Sequence, residues 1–328
     1  MTVVALRSTV TVARGATLDR VLDSRWRTAD QGLDRDAYRK FHEARTRTEW
    51  GRRSQGAYVL VDGNHILASA ERYDLSGVLD ERAVAVCGIG SVSVAPSPSS
   101  VDHARTLVDA LANDAAARGV EIALLFPQPG SADDAPDGFH VIPSTELTLV
   151  VTESTRRGAP MTMVRAGEKR DLAAIVAMGR VRAEPFRFHL NRDLDFLEYV
   201  ITTRRLLAGL GGAHVRELQF FIAEEGITAA AYVIVSVAGD VWTLEECGDR
   251  DPSGARVGAL LQALIARDPP ERRPTIHARL PRRFLPPQIT IAAATPAGDV
   301  VRIRMLGGAA SAPPLASDDV LLWQNDIL

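Results

Sequence analysis

Three places in this sequence carry side chains able to move protons. Glu71, Tyr73 and Asp74 follow a short apolar run, which puts them at the end of a strand. There they offer a carboxylate base, a phenol acid and a second carboxylate to hold a ligand, all on one wall of a pocket. A solvated strand end accounts for the same three residues equally well. His103 adjoins Asp102 at the start of a helical stretch. Adjacent helix positions do not face each other, and Asp102 also suits an N-cap, so a cap outweighs a His–Asp dyad. Glu245 and Glu246 are consecutive in a strand-like run, so they leave opposite faces. The inward one needs a partner; burial would raise its pKa and make it a base, with Asp249 and Arg250 nearby. An ion pair to Arg187 or Arg192 is the plainer alternative.

Aromatic residues supply candidate walls. Phe186 and Phe188 alternate with Arg187 and His189, and Trp50 and Trp242 stand alone in their segments. All four are candidate substrate-binding residues; ordinary packing is the commoner use of such rings. His42, His65, His140, His214 and His277 show no metal-ligand spacing, and no metal is expected. Neither a Gly-x-Ser-x-Gly elbow nor a Ser/His/Asp order is present.

These residues must be positioned by a repeated set of elements. Residues 25–49 are charged and helix-prone. Residues 57–61 (AYVLV) and 66–70 (ILASA) flank Asp62-Gly63-Asn64, a hairpin signal. Residues 72–82 read as a polar loop, and 84–94 (VAVCGIGSVSV) as a buried strand. Residues 103–119 read as a helix whose Ala104, Leu107, Val108, Leu111 and Ala115 form one stripe, stopped by Gly119. Residues 121–126 and 139–151 are strands separated by a turn-rich stretch, and 152–160 (TESTRRGAP) is a linker. The second half repeats the order. Residues 163–166 are a strand, and 171–181 and 196–210 are helices. Residues 219–224 and 229–237 form a hairpin around Glu225-Gly226. Strand 241–247, helix 255–266 and strand 275–280 follow. Leu107, Val108 and Leu111 correspond to Leu260, Leu261 and Leu264, which signals a duplication. The expected domains are residues 1–155 and 161–328.

At 328 residues, with 46% hydrophobic and 24% charged content, the chain accommodates two ordinary globular domains. A net charge of −3 gives no field for a polyanion, so nucleic acid is not expected. No stretch reaches the roughly 20 apolar residues of a membrane span, and no membrane partner is expected. Cys87 and Cys247 are the only cysteines; they make neither a disulfide framework nor a zinc site and fit a reducing cytoplasm. The expected partner is a small-molecule substrate, with a homodimer left open.

Several short segments, taken in order, carry a family resemblance. They are Tyr58-Val59-Leu60, Ala68-Ser69-Ala70, Arg72-Tyr73-Asp74, GIGSV at 88–92, HARTL at 103–107, Leu124-Leu125-Phe126, Gly138-Phe139 and Ile142-Pro143. The second half adds PFRFHL at 185–190, TLEECGDRDP at 243–252, GARVGALLQ at 254–262 and the tail 319–326. On these the chain resembles the GNAT superfamily of acyl-CoA-dependent N-acetyltransferases, in particular bacterial tandem-GNAT proteins and the related yeast-type lysine acetyltransferases. The resemblance implies a tandem α/β fold with mixed, mostly antiparallel sheets flanked by helices. It implies that the main chain of Ile89, Gly90, Ser91 and Val92 holds a thioester, with Ser99 and Ser100 near the pyrophosphate. The cofactor, if one binds, is acetyl-CoA or another acyl-CoA.

The departures from that pattern are specific. The family places Arg/Gln-x-x-Gly-x-Gly/Ala before the helix; here the matching positions are Ser99, Asp102 and Ala104. Asp102 sets a carboxylate where a diphosphate would sit. A tyrosine expected shortly before Gly138-Phe139 is missing from residues 131–137 (SADDAPD). In the second half the matching positions are Pro252, Ala255 and Val257, or one residue earlier Asp251, Gly254 and Arg256, and neither register fits. Three functions follow. The first is an acyltransferase acting on an amine of a small metabolite, in the cleft of the N-terminal half or between the halves, with a carboxylate such as Glu71 as base. The second is a CoA-independent enzyme of specialised metabolism performing cyclisation, dehydration or elimination. The third is a noncatalytic ligand-binding protein.

Overall fold

A computed structural model describes residues 8–27, 32–126, 136–152, 163–211, 216–298, 300–311 and 313–328. The linker read at 152–160 lies outside them except for Thr152. Most of the tyrosine-free loop at 131–137 lies outside them as well. The chain divides into two compact units. The first is Met1–Ile142 with Asp299–Ala316 and Ile327–Leu328; the second is Pro143–Gly298 with Ser317–Asp326.

In the first unit, β1 (Thr9–Val12) leads into α1 (Ala16–Trp26), α2 (Arg35–Arg47) and α3 (Glu49–Ser54). The helical stretch read at 25–49 is thus three helices. Asp34 accepts from the Ala37 amide to start α2, and Thr48 both ends α2 and caps α3 through the Gly51 amide. Arg35 and Arg39 on α2 grip Asp23 on α1 at 2.6 and 2.7 Å. The hairpin follows as β2 (Gln55–Asp62) and β3 (His65–Leu79), turned at Gly63 with φ +56°. β4 (Arg82–Val94), α4 (Ser100–Ala117) and β5 (Ile122–Leu125) complete the motif, with β4 and β5 parallel. β6 (His140–Val141) and β15 (Arg302–Met305) close the sheet in the order β1-β2-β3-β4-β5-β15-β6.

The polar stretch 72–82 is not a loop. β3 runs through it to Leu79 and turns at Asp80 and Glu81, both with positive φ, into β4. Its polarity misleads because the charges are paired: Arg72 meets Asp114 on α4 at 3.0 Å and Asp74 at 3.4 Å, while Tyr73 is fully buried. Strand alternation assigns the faces. Leu60, Ala68, Ala70 and Ile89 pack on the Leu107, Val108 and Leu111 stripe of α4. Val59 packs with Val21 of α1.

In the second unit, the strand read at 139–151 divides: β6 stays in the first sheet, and β7 (Thr145–Val151) joins the second. Then come β8 (Met163–Ala166), α5 (Leu172–Ala183), β9 (Phe188–Leu190), α6 (Leu194–Leu210) and the hairpin β10 (Glu217–Glu225) and β11 (Thr228–Ala238). β12 (Val241–Asp249), α7 (Ala255–Ile265), β13 (Thr275–Ala278) and β14 (Ile289–Pro296) follow, and β16 (Val320–Leu321) pairs in parallel with β9. The sheet order is β14-β7-β13-β12-β11-β10-β8, with β12 and β13 parallel and its other pairings antiparallel. Phe220, Ile222, Tyr232 and Ile234 face α5 and α6, whereas Val233, Val235 and Leu244 face α7 with Leu260, Leu261 and Leu264.

Each unit therefore runs strand, helices, hairpin, strand, helix, parallel strand. The fold is mixed α/β, built twice, with mostly antiparallel sheets flanked by helices. No helix among the described residues is long and apolar enough to cross a membrane.

Candidate functional site

The first unit has a break in its central strand pair. β3 and β4 pair regularly up to Glu71 opposite Gly90, then shift register before Ser69 meets Ser93. The extra residue lies on β4, where Ser91 and Val92 stand against Ala70 alone and Ser91 takes φ +49°. A bulge of this kind bends the strand and leaves main-chain groups without ladder partners. It falls where β5 stops following β4, whose last bonds are the Ile89–Leu125 pairing and the Phe126 amide to the Ile89 carbonyl at 2.8 Å. Ile89, Gly90, Ser91 and Val92 thus sit together at one opening in the sheet. Gly90 tolerates no side chain: a Cβ there would stand 2.6 Å from the Leu328 carbonyl and 3.5 Å from the rings of Phe126 and Tyr73.

Opposite Gly90 lies Glu71, 1% exposed and surrounded by donors. Arg25 of α1 donates at 3.0 Å, Arg45 of α2 at 2.5 Å, Gln55 of β2 at 2.9 Å and the Tyr73 hydroxyl at 2.5 Å. His42 Nδ1 of α2 stands 3.5 Å away. Burial by itself pushes the Glu71 pKa up. The charge of Arg45, the hydrogen bond from His42 and the charge of Arg25 outweigh it, and the carboxyl is held well below its ordinary range. Glu71 is thereby favoured as an anion, with three donors on Oε2 and Arg25 on Oε1. Trp50 stacks on Tyr73 at 6.4 Å, and Phe126 meets Tyr73 edge-on at 6.2 Å. Glu71, Tyr73 and Trp50 therefore form one cluster beside the bulge. Arg25, His42, Arg45 and Gln55 are its members that sequence reading missed. They lie 16 to 46 residues from Glu71 on other elements, so no local spacing marks them.

A cleft of about 770 Å³ opens beside this cluster. Leu22 of α1, His42 of α2, Gln55 and Tyr58 of β2, and Arg72 and Asp74 of β3 line it. Its size is that of a metabolite site. The Arg72 guanidinium lies 4.6 Å over the Tyr58 ring.

At the other end of the β4–α4 turn, the helix starts at Ser100 rather than His103. Asp102 is therefore exposed in the first turn and does not cap; Ser99 takes the cap position without a side-chain capping bond. His103 is half-buried, and its amide donates to the Ser99 carbonyl at 3.0 Å. Ser99 and Ser100 thus place two hydroxyl-bearing residues at this helix end.

The second unit uses its acids differently. Glu246 is fully buried, paired to both terminal nitrogens of Arg192 at 2.6 and 2.7 Å and hydrogen-bonded by the Tyr232 hydroxyl at 2.5 Å. The same arginine reaches Asp326 at 3.0 Å. Burial raises Asp326 to about 6; Arg192 opposes the rise and Glu246 adds to it. Glu245 is the bulged residue of β12; it takes the Ser236 hydroxyl at 2.6 Å and lies 3.9 Å from Arg204. A cavity of about 40 Å³, room for a water or two, borders Arg192 and Asp326. Trp242 and Phe186 pack in the main core, Phe186 against Phe284 at 5.7 Å, and Phe188 is fully buried on β9. Asp249 does not pair with the glutamates. Its carboxylate caps α7, accepting from the Arg256 amide at 2.8 Å and the Val257 amide at 3.2 Å. An internal anion thus fills this helix end.

Burial raises the Cys87 thiol to about 12 and the Cys247 thiol to about 11, so both are protonated packing groups.

No protein-family model and no curated protein matches the sequence. Solved structures do. A GCN5-related N-acetyltransferase from Kribbella flavida is 17% identical with a TM-score of 0.65, over 92% of this chain and 72% of that one. Another from Anabaena variabilis ATCC 29413 is 12% identical with a TM-score of 0.66, over 93% and 74%. The N-myristoyltransferase of Saccharomyces cerevisiae, with bound myristoyl-CoA, is 9% identical with a TM-score of 0.53, over 93% and 84%. The fold is that of the GNAT superfamily.

Proposed function

From this GNAT fold we propose an acyl-CoA-dependent N-acyltransferase whose active centre is the β4 bulge of the first unit and whose acceptor is a small amine entering by the cleft that His42 and Gln55 line. The bulge at Gly90–Val92 is the observation that carries the reading. It frees main-chain groups of β4 beside a strand that has stopped pairing, which is what a thioester carbonyl needs for orientation. Acyl-CoA would supply the activated acyl group. Ser99 and Ser100 would meet its phosphates with hydroxyls and the α4 terminus in place of glycines and arginine. The fit is good at the acyl end and poor at the phosphate end, where Asp102 opposes an anion. The acyl-CoA bound to the yeast neighbour supports the ligand class. The capped end of α7 supports a single acyl site, in the first unit.

The phosphate end favours a second reading. A loop Ala95–Ser99 without glycine or arginine, followed by Asp102, suits a protein that keeps the cleft and has abandoned CoA. Calorimetric titration of the purified chain with acetyl-CoA and CoA separates the two. Micromolar binding with thiol release on adding primary amines supports acyl transfer. No heat at millimolar ligand sinks it and leaves CoA-independent acid–base chemistry.

A further inference from the structure

We propose that His42 accepts the acceptor's proton in the first-unit cleft, with buried Glu71 as its positioning residue; this rests on the acyl-transfer reading above. His42 is 7% exposed, lines the cleft and turns Nδ1 toward Glu71 Oε1 at 3.5 Å. A histidine backed by a fixed carboxylate is set in one tautomer. In the proposed arrangement Nδ1 carries the proton and points it at Glu71 across the 3.5 Å gap, which leaves the Nε2 lone pair for a donor in the cleft.

Glu71 cannot do this work itself. Four other donors occupy its oxygens and hold it ionised, so it can orient but is a weak base. The dyad stands beside the reaction centre, because the cross-strand partner of Glu71 is Gly90 of the bulge. As the amine nitrogen bonds to the thioester carbon, His42 Nε2 takes the N–H proton. The C–S electron pair leaves with sulfur, and the same nitrogen returns the proton to the thiolate. Bonds, charge and proton balance without another reactant.

The test is nitrogen-15 NMR of the imidazole in the full-length protein, titrated with benzylamine and ethanolamine, alongside kinetics of His42→Gln. The Nδ1–H tautomer is expected, with an Nε2 resonance that moves as either amine is added. His42→Gln is expected to lower kcat by about 10²-fold or more with KM within about twofold, and imidazole to restore part of the activity of His42→Ala. An Nε2–H tautomer, an Nε2 signal indifferent to both amines, or unchanged kcat in His42→Gln overturns the proposal. Failure of acyl transfer itself shows separately, as absent acetyl-CoA binding; the NMR arm then still decides whether His42 meets a donor in the cleft.

Discussion

Replacing Glu71 by glutamine removes one negative charge from between two buried arginines. Breaking a buried pair in this way costs about 3–5 kcal/mol, so the urea midpoint of Glu71→Gln is expected to fall sharply. An unchanged midpoint would show that the cluster is not buried as described. Gly90→Ala acts by shape. Its methyl meets the Leu328 carbonyl and two rings, and overpacking of this order costs about 1–3 kcal/mol. A lowered melting temperature together with lost thiol release is expected, because the same methyl disturbs the bulge. The sequence brings Glu71 and Tyr73 to notice because a carboxylate and a phenol follow an apolar run at a strand end. It hides Arg25, His42 and Arg45 because helices bring them in from the far side of a turn. A polar residue pointing into an apolar unit is visible only once the helix phase is fixed.

α7 shows what an element does with its own charge. Asp249 supplies the anion that its first amides need. Asp249→Ala is expected to cost about 1–2 kcal/mol through the lost cap, measured by denaturant unfolding, while acetyl-CoA affinity stays as in the parent. A loss of affinity would place the acyl site in the second unit instead. The two leucine-striped helices, the hairpins and the central strands are legible from periodicity. The extension of β3 to Leu79 is not, since its charges read as solvent-facing until Arg72 is seen paired to Asp114. β15 and β16, of four and two residues, are too short to show a pattern, β14 runs eight residues but is mostly exposed and without alternation, and β7 gives no sign in its residues of which sheet it will join.

For the molecule as a whole, acid titration gives a signed expectation. Asp326 has its folded pKa raised from 3.8 to about 6 by burial. It holds its proton more tightly folded than unfolded. Its contribution is complete below the ordinary value and is lost as pH rises through 6. Moving from pH 7 to pH 5 should therefore stabilise the chain by about 1 kcal/mol, and Asp326→Asn should remove that slope. A slope retained in the variant would assign it to another group.

The route of the chain through its two sheets bears on how the protein can be dissected. β7 precedes the second half yet belongs to the second sheet, and β15 follows it yet returns to the first. One cut after residue 155 would strand β7 with the wrong fragment and deprive the first of β15. Two such fragments, each with an unpaired sheet edge, are natural reagents for a split-protein reporter: inert apart, with completion of either sheet waiting on the other piece.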